Sequence, residues 1–122
     1  MTPLLLYLLS LLDYLGRMKK FLDYKEIKVS YLIEGEGEVL VFLHGYLEAK
    51  EIWKDFSKRF SGSYKVICID VPGHGESGVL ADLHKMDEMA AVTDAVLQNE
   101  KIDSCVLFGH SMGGYVVMSF VE

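Results

Sequence analysis

The sequence predicts an α/β fold with parallel strands at its centre, and three observations predict it. Val39–Leu43, Val66–Ile69 and Cys105–Phe108 are continuous apolar runs, the makeup of strands covered on both faces. Two segments with apolar residues at helical spacing separate these runs. Strand, helix, strand, helix, strand in that order gives parallel strands joined by right-handed crossovers. A chain of 122 residues, 51% hydrophobic, is of a size for one domain with a core of its own.

The elements follow in chain order. MTPLLLYLLSLLDYLG carries leucine at positions 4, 5, 6, 8, 9, 11, 12 and 15, but its apolar part ends at Asp13. That is short of the ~20 residues that span a bilayer. Arg17, Lys19 and Lys20 follow the run instead of preceding it, and no Ala-x-Ala-like site comes after. Three readings of residues 1–17 stay open: a leader upstream of a true start at Met18, a membrane-touching segment over about 1–15, or an extra amphipathic helix. Residues 18–122 form the domain. Ile27, Val29, Tyr31 and Ile33 share one face of a half-buried strand, in a hairpin that turns near Lys25 and Glu26. Glu34-Gly35-Glu36-Gly37 is the next turn. Ile52, Trp53, Phe56 and Phe60 lie on one face of a first helix, and Met86, Met89, Ala90, Thr93, Val96 and Leu97 on one face of a second. Asp87 and Glu88 suit the positive end of that second helix. Core packing accounts for these apolar positions.

A net charge of −6 without a basic stripe excludes a nucleic-acid binder. The chemistry gathers where each apolar run ends, at the carboxyl edge where open α/β sheets bind and react. His44-Gly45-Tyr46 follows the first run, Pro72-Gly73-His74-Gly75-Glu76-Ser77 the second, and Gly109-His110-Ser111-Met112-Gly113-Gly114 the third. A strand that turns into a helix within one residue strains the turning residue by about 1–3 kcal/mol. Gly109 and Gly113 remove Cβ atoms that would collide there, and Gly114 eases the helix start. Ser111 is then lifted over a helix N-terminus as a nucleophile. The bland alternative is a serine that caps a helix in a glycine-rich turn.

With those motifs in order, the run from about Tyr24 to Val121 resembles the first half of the α/β-hydrolase superfamily. VFLHGYLE, DVPGHGES and GHSMGG carry the resemblance, with the flavour of small esterase and haloperoxidase-like members. It implies the amino-terminal half of that fold: a β-hairpin, then a parallel βαβαβ ending at the nucleophile elbow and its helix. It implies a Ser nucleophile, not the Asp of haloalkane dehalogenases or the Cys of dienelactone hydrolases. It also implies an oxyanion hole from the backbone N–H groups of Met112 and Tyr46. His44 is expected to support its loop by hydrogen bonds to backbone rather than to act in catalysis. Asp70 is expected to brace the loop after its strand rather than to be the acid of a triad. The family's sheet order puts the strands of Cys68 and Cys105 on either side of Val39–Leu43, ~9–10 Å apart and too far for a disulfide. No metal-ligand spacing is present, no cofactor is expected, and a cytoplasmic location is expected.

Two features complicate the picture. Gly73-His74-Gly75-Glu76-Ser77-Gly78 satisfies a dinucleotide-binding G-x-G-x-x-G, leaving a nucleotide-binding α/β domain as a distant alternative. Pro72 before it and no immediate helical face after it argue against that. In the family, the acid and then the histidine follow the serine. Residues 112–122 contain no histidine, and their one acid is Glu122. His110 on so sharp a turn should point away from the Ser111 hydroxyl, while His74 and His84 lack an orienting carboxylate. The expectation is a serine hydrolase acting on a small ester or related acyl substrate, truncated after the nucleophile helix and inactive as this chain alone. The alternative is a non-catalytic fragment, or half of a split enzyme that needs a separate carboxyl-terminal half.

Overall fold

The computed structural model describes residues 2–8 and 17–122. Residues 3–8 form a helical stretch, α1, whose Leu4, Leu5, Leu6, Tyr7 and Leu8 are all exposed. The rest of the leucine-rich leader, residues 9–16, lies outside the described residues. Among the described residues, no helix is long and apolar enough to cross a membrane.

Five strands make one mixed sheet: β1 (Arg17–Tyr24), β2 (Ile27–Glu34), β3 (Val39–Leu43), β4 (Lys65–Ile69) and β5 (Val106–Gly109), in the order β1-β2-β4-β3-β5. The hairpin turns at the expected Lys25–Glu26, with Lys25 in the left-handed region at φ 52°. It starts at Arg17, one residue ahead of Met18, and the Arg17 Nε lies 2.9 Å from Glu34 Oε2. β2 runs antiparallel to β4, while β4, β3 and β5 are mutually parallel, so all three chemistry-bearing loops leave from one edge.

Side-chain alternation divides the strands between two layers. On one face, Val29, Tyr31, Ile33, Val41, Leu43, Ile67 and Ile69 pack with Met89, Ala90, Val92, Val96 and Leu97 of α3 (Met86–Asn99) and with Val116 of α4 (Met112–Val121). The α3 face matches the expected periodicity, and Asp87 and Glu88 occupy its first turn. On the other face, Leu40, Phe42, Val66 and Cys68 meet Trp53, Phe60 and Tyr64. Phe42 is the hub of that side: the Phe108 ring stacks on it at 4.9 Å, and Trp53, Phe56 and Phe60 surround it at 5.1–6.3 Å.

Two expectations need correction. The first helical segment is a 3₁₀ turn (Lys50–Trp53) followed by one turn of α-helix, α2 (Lys54–Ser57). The tighter 3₁₀ winding rotates successive side chains further apart, so Ile52 stands exposed instead of sharing the Trp53 face. The third apolar run is not covered on both faces. β5 pairs with β3 alone at the end of the sheet, and Val106 and Phe108 are exposed there. Cys68 and Cys105 are both free, with β3 between their strands. Burial pushes the Cys68 thiol up to about 12, so it behaves as a small apolar group.

Ile67 is fully buried at the centre of the larger cluster. Ile67→Ala is expected to lower unfolding stability by about 2–5 kcal/mol in urea titration. A loss below about 1 kcal/mol would show that the sheet closes over the gap.

Candidate active site at the carboxyl ends of the strands

β5 ends at Gly109 and α4 begins at Met112, leaving His110 and Ser111 to make the whole turn. Ser111 holds φ 55° and ψ −116°, a region that a residue with a Cβ rarely visits. The reason lies in how closely the backbones meet. A Cβ on Gly113 would sit 2.2 Å from the Leu43 carbonyl oxygen, and one on Gly109 would sit 2.3 Å from the Gly113 oxygen. Gly114 differs, since a Cβ there would meet only the Gly109 oxygen at an ordinary 3.7 Å. The Ser111 side chain makes no capping hydrogen bond to α4, which removes the alternative of a simple helix cap. Ser111 is exposed at the edge.

The loop after β3 lies directly against this elbow. A Cβ on Gly45 would come 3.2 Å from Ser111 Cβ and 3.3 Å from His110 Nδ1. The His110 N–H donates to the Leu43 carbonyl at 3.0 Å, tying elbow to strand end. Among the described residues, the N–H groups of Tyr46 and Met112 have no hydrogen-bond acceptor. His44 is fully buried; its Nδ1 donates to the Gly45 carbonyl at 2.8 Å, and its Nε2 accepts from the Val71 N–H at 3.1 Å. That pairing requires the neutral ring, and burial lowers its pKa accordingly. His44 thereby links the loop after β3 to the backbone that follows β4.

The loop after β4 is organised around Asp70, which is fully buried. Its Oδ1 accepts from the Lys50 N–H at 2.7 Å, and its Oδ2 from Lys50 Nζ at 2.8 Å and the Glu76 N–H at 2.9 Å. The Ser77 hydroxyl donates to the Asp70 carbonyl at 2.6 Å and accepts from the Ser30 N–H at 2.8 Å. Gly75, at φ 53°, is demanded by the same carboxylate, which a Cβ would approach to 2.3 Å. Asp70 braces the loop, as expected. The N–H groups of Gly73, His74, Glu76, Ser77 and Gly78 all have internal acceptors, and α3 starts only at Met86. A phosphate cradle needs those N–H groups free, so the G-x-G-x-x-G here is a braced turn.

The four histidines are each engaged away from Ser111. His110 Nδ1 lies 2.9 Å from Glu48 Oε1. His74 sits beside His44 and Tyr46, ring centroids 5.1 and 5.9 Å away, with Nδ1 on the Pro72 carbonyl. His84 Nε2 accepts from the N–H groups of Leu80 and Ala81. Among the described residues, no group of three or more His, Cys, Asp or Glu could hold a metal ion.

Glu48 and Lys50 are the polar neighbours of this edge that sequence reasoning missed. Lys50 is 3% exposed, with its ammonium 2.8 Å from Asp70 and 3.0 Å from both Glu76 and Glu51. Burial works against its charge, but the three carboxylates more than reverse this and raise its pKa. In EAKEIWKDF the apolar face is Ile52, Trp53 and Phe56 and the charged residues fall between them, so no local signal marks Lys50 as internal.

A strained serine at a strand-to-helix turn, on the parallel part of a mixed sheet with a buried His-Gly loop beside it, fits part of an α/β-hydrolase fold. The family profile described as alpha/beta hydrolase fold matches residues 38–122, and the chain belongs to this family. It is 35% identical over 86 residues to (E)-2-((N-methylformamido)methylene)succinate hydrolase of Acinetobacter baylyi, covering 70% of this chain and 33% of that protein. It is 30% identical over 94 residues to epoxide hydrolase 4 of Mus musculus, covering 74% and 26%. The structure of Est816, described as an N-acyl homoserine lactone degrading enzyme, superposes with TM-score 0.79 at 34% identity, over 82% of this chain and 39% of that one. The chain thus spans a third or less of the length of these curated relatives.

Gly113→Ala is expected to lower stability by about 1–3 kcal/mol or more, because its Cβ meets fixed backbone, whereas Gly114→Ala leaves it unchanged or raised. Equal melting points for the two variants would refute this account of the elbow. A second prediction concerns acid. Hydrogen bonds from Lys50, then Lys19, hold Glu76 below the usual carboxylate range. A depressed folded pKa means stabilisation that is present above the unfolded value and lost as pH falls through the folded one. The gap in denaturation midpoint between wild type and Glu76→Gln is therefore expected to be larger at pH 7 than at pH 3. A gap that does not change with pH would show the pair contributes nothing.

Proposed function

We propose that this chain is the nucleophile-bearing part of a serine hydrolase that acts on an ester or related acyl substrate. The observation that carries the proposal is the backbone of Ser111, strained at φ 55° with no capping bond to account for it. Ser111 would attack the acyl carbon and form an acyl-enzyme, while the Met112 and Tyr46 N–H groups receive the oxyanion. Rigid backbone donors suit that role, and losing one typically costs ~10²–10³ in rate. A lactone is a cyclic ester, so the activity named for Est816 is in keeping with acyl chemistry. No histidine described above reaches Ser111. The general base and its carboxylate would then come from polypeptide beyond these 122 residues, of the same chain or of a second one. A cytoplasmic location, which two free cysteines would suit, is part of the same proposal.

A second reading makes the chain a non-catalytic fragment or one half of a split enzyme. The exposed β5 edge favours it, since an unpaired strand with apolar neighbours is a ready template for another strand. A fluorophosphonate probe decides the matter. In a protein completed with the remaining polypeptide, Ser111 is expected to be labelled and Ser111→Ala is not. The 122-residue chain alone is expected to leave p-nitrophenyl esters uncleaved. No labelling of a folded, completed protein would remove Ser111 as nucleophile, and Ser111-dependent turnover by the chain alone would remove the external base.

A further inference from the structure

Glu48 stands between the two backbone segments that meet at Ser111. Its Oε1 accepts from the Gly45 N–H at 2.9 Å and from His110 Nδ1 at 2.9 Å. Gly45 immediately precedes Tyr46, and His110 lies two residues before Met112. One carboxylate oxygen therefore bonds to both the loop after β3 and the elbow. We propose that Glu48 is a positioning residue that clasps these segments and so sets the separation of the Tyr46 and Met112 N–H groups. The inference rests on the reading of those two groups as oxyanion donors.

The loop is shaped around this contact. The Glu48 N–H donates back to the Gly45 carbonyl at 3.2 Å, closing a tight turn. Leu47, inside that turn, takes φ 60° and is 80% exposed, so its strained backbone gains no burial for its own side chain. What the turn delivers is the carboxylate of Glu48. A Cβ on Gly45 would stand 2.2 Å from Glu48 Oε1, so the carboxylate would have to move aside to admit it. On the elbow side, the Trp53 ring meets the His110 ring edge-on at 6.5 Å, which limits the imidazole's freedom to swing away. Hydrogen bonds to an ionised acceptor are the stronger kind. Oxyanion donors must be held to within about 0.5 Å of their working place, which side chains locked by such bonds achieve.

Amide hydrogen exchange and ¹⁵N-resolved NMR on the 122-residue chain test the clasp without any turnover. In Glu48→Ala, exchange at Gly45 is expected to quicken by roughly tenfold to a hundredfold, and the Tyr46 and Met112 amide signals are expected to shift together. Glu48→Gln keeps an acceptor oxygen and should hold Gly45 exchange within about threefold of wild type. His110→Ala should shift Met112, and adding it to Glu48→Ala should add little, because both remove one link. Unchanged Gly45 exchange in Glu48→Ala, or fully additive shifts in the double variant, overturns the proposal. If Glu48→Ala does not fold, His110→Ala alone carries the test: the Tyr46 amide signal is expected to shift together with that of Met112, and a Tyr46 signal that stays in place overturns the proposal. The exchange and shift readouts require neither turnover nor labelling of Ser111, so failure of the nucleophile reading and failure of the clasp are told apart.

Discussion

The edge that carries Ser111 depends on one close approach: α4 begins with its backbone against the carbonyl of Leu43, where β3 ends. At 2.2 Å from that oxygen there is no volume for a Cβ, so Gly113 is obligatory. The helix can start so near the sheet only if the chain turns within two residues, and Ser111 takes up the strain of doing so. The His110 N–H bond to Leu43 follows from the same crossing, as does the contact between Gly45 and the serine. Removing the close approach would leave an ordinary serine in a loop.

Around that crossing, the neighbouring loops are fixed by buried polar groups. His44 joins β3 to the start of the Val71 loop through its two ring nitrogens. Asp70 collects Lys50, Glu76 and, through its carbonyl, Ser77. A buried ion pair is poor evidence for stability in itself, since desolvation offsets much of the attraction. Its value here is geometric, because the Asp70 carboxylate joins Lys50 of the segment after β3 to Glu76 of the loop after β4.

Much of this was legible in the sequence. The three apolar runs match β3, β4 and β5, and the glycines around Ser111 match the tight turn between β5 and α4. The periodicity of Met89, Thr93 and Val96 gave α3. What was missed depends on three-dimensional partners with no local signature. Lys50 is internal only because Asp70 and Glu76 arrive from a loop twenty and more residues away. Glu48 looks like any loop carboxylate until the fold brings His110 to it across sixty-two positions. The apolar run Cys105–Phe108 reports what its strand is suited to pair with, and the exposure of Val106 and Phe108 follows from the place of β5 at the end of the sheet.

The neutrality of His44 bears on how proton-dependent behaviour at this edge would be interpreted. An imidazole that could ionise near neutrality would make the scaffold itself titrate, since a second ring proton would displace the Val71 N–H. Burial moves that event to more acidic conditions. A titration seen near neutrality at this edge would then belong to a group other than His44, and not to a collapse of the loop that holds Gly45.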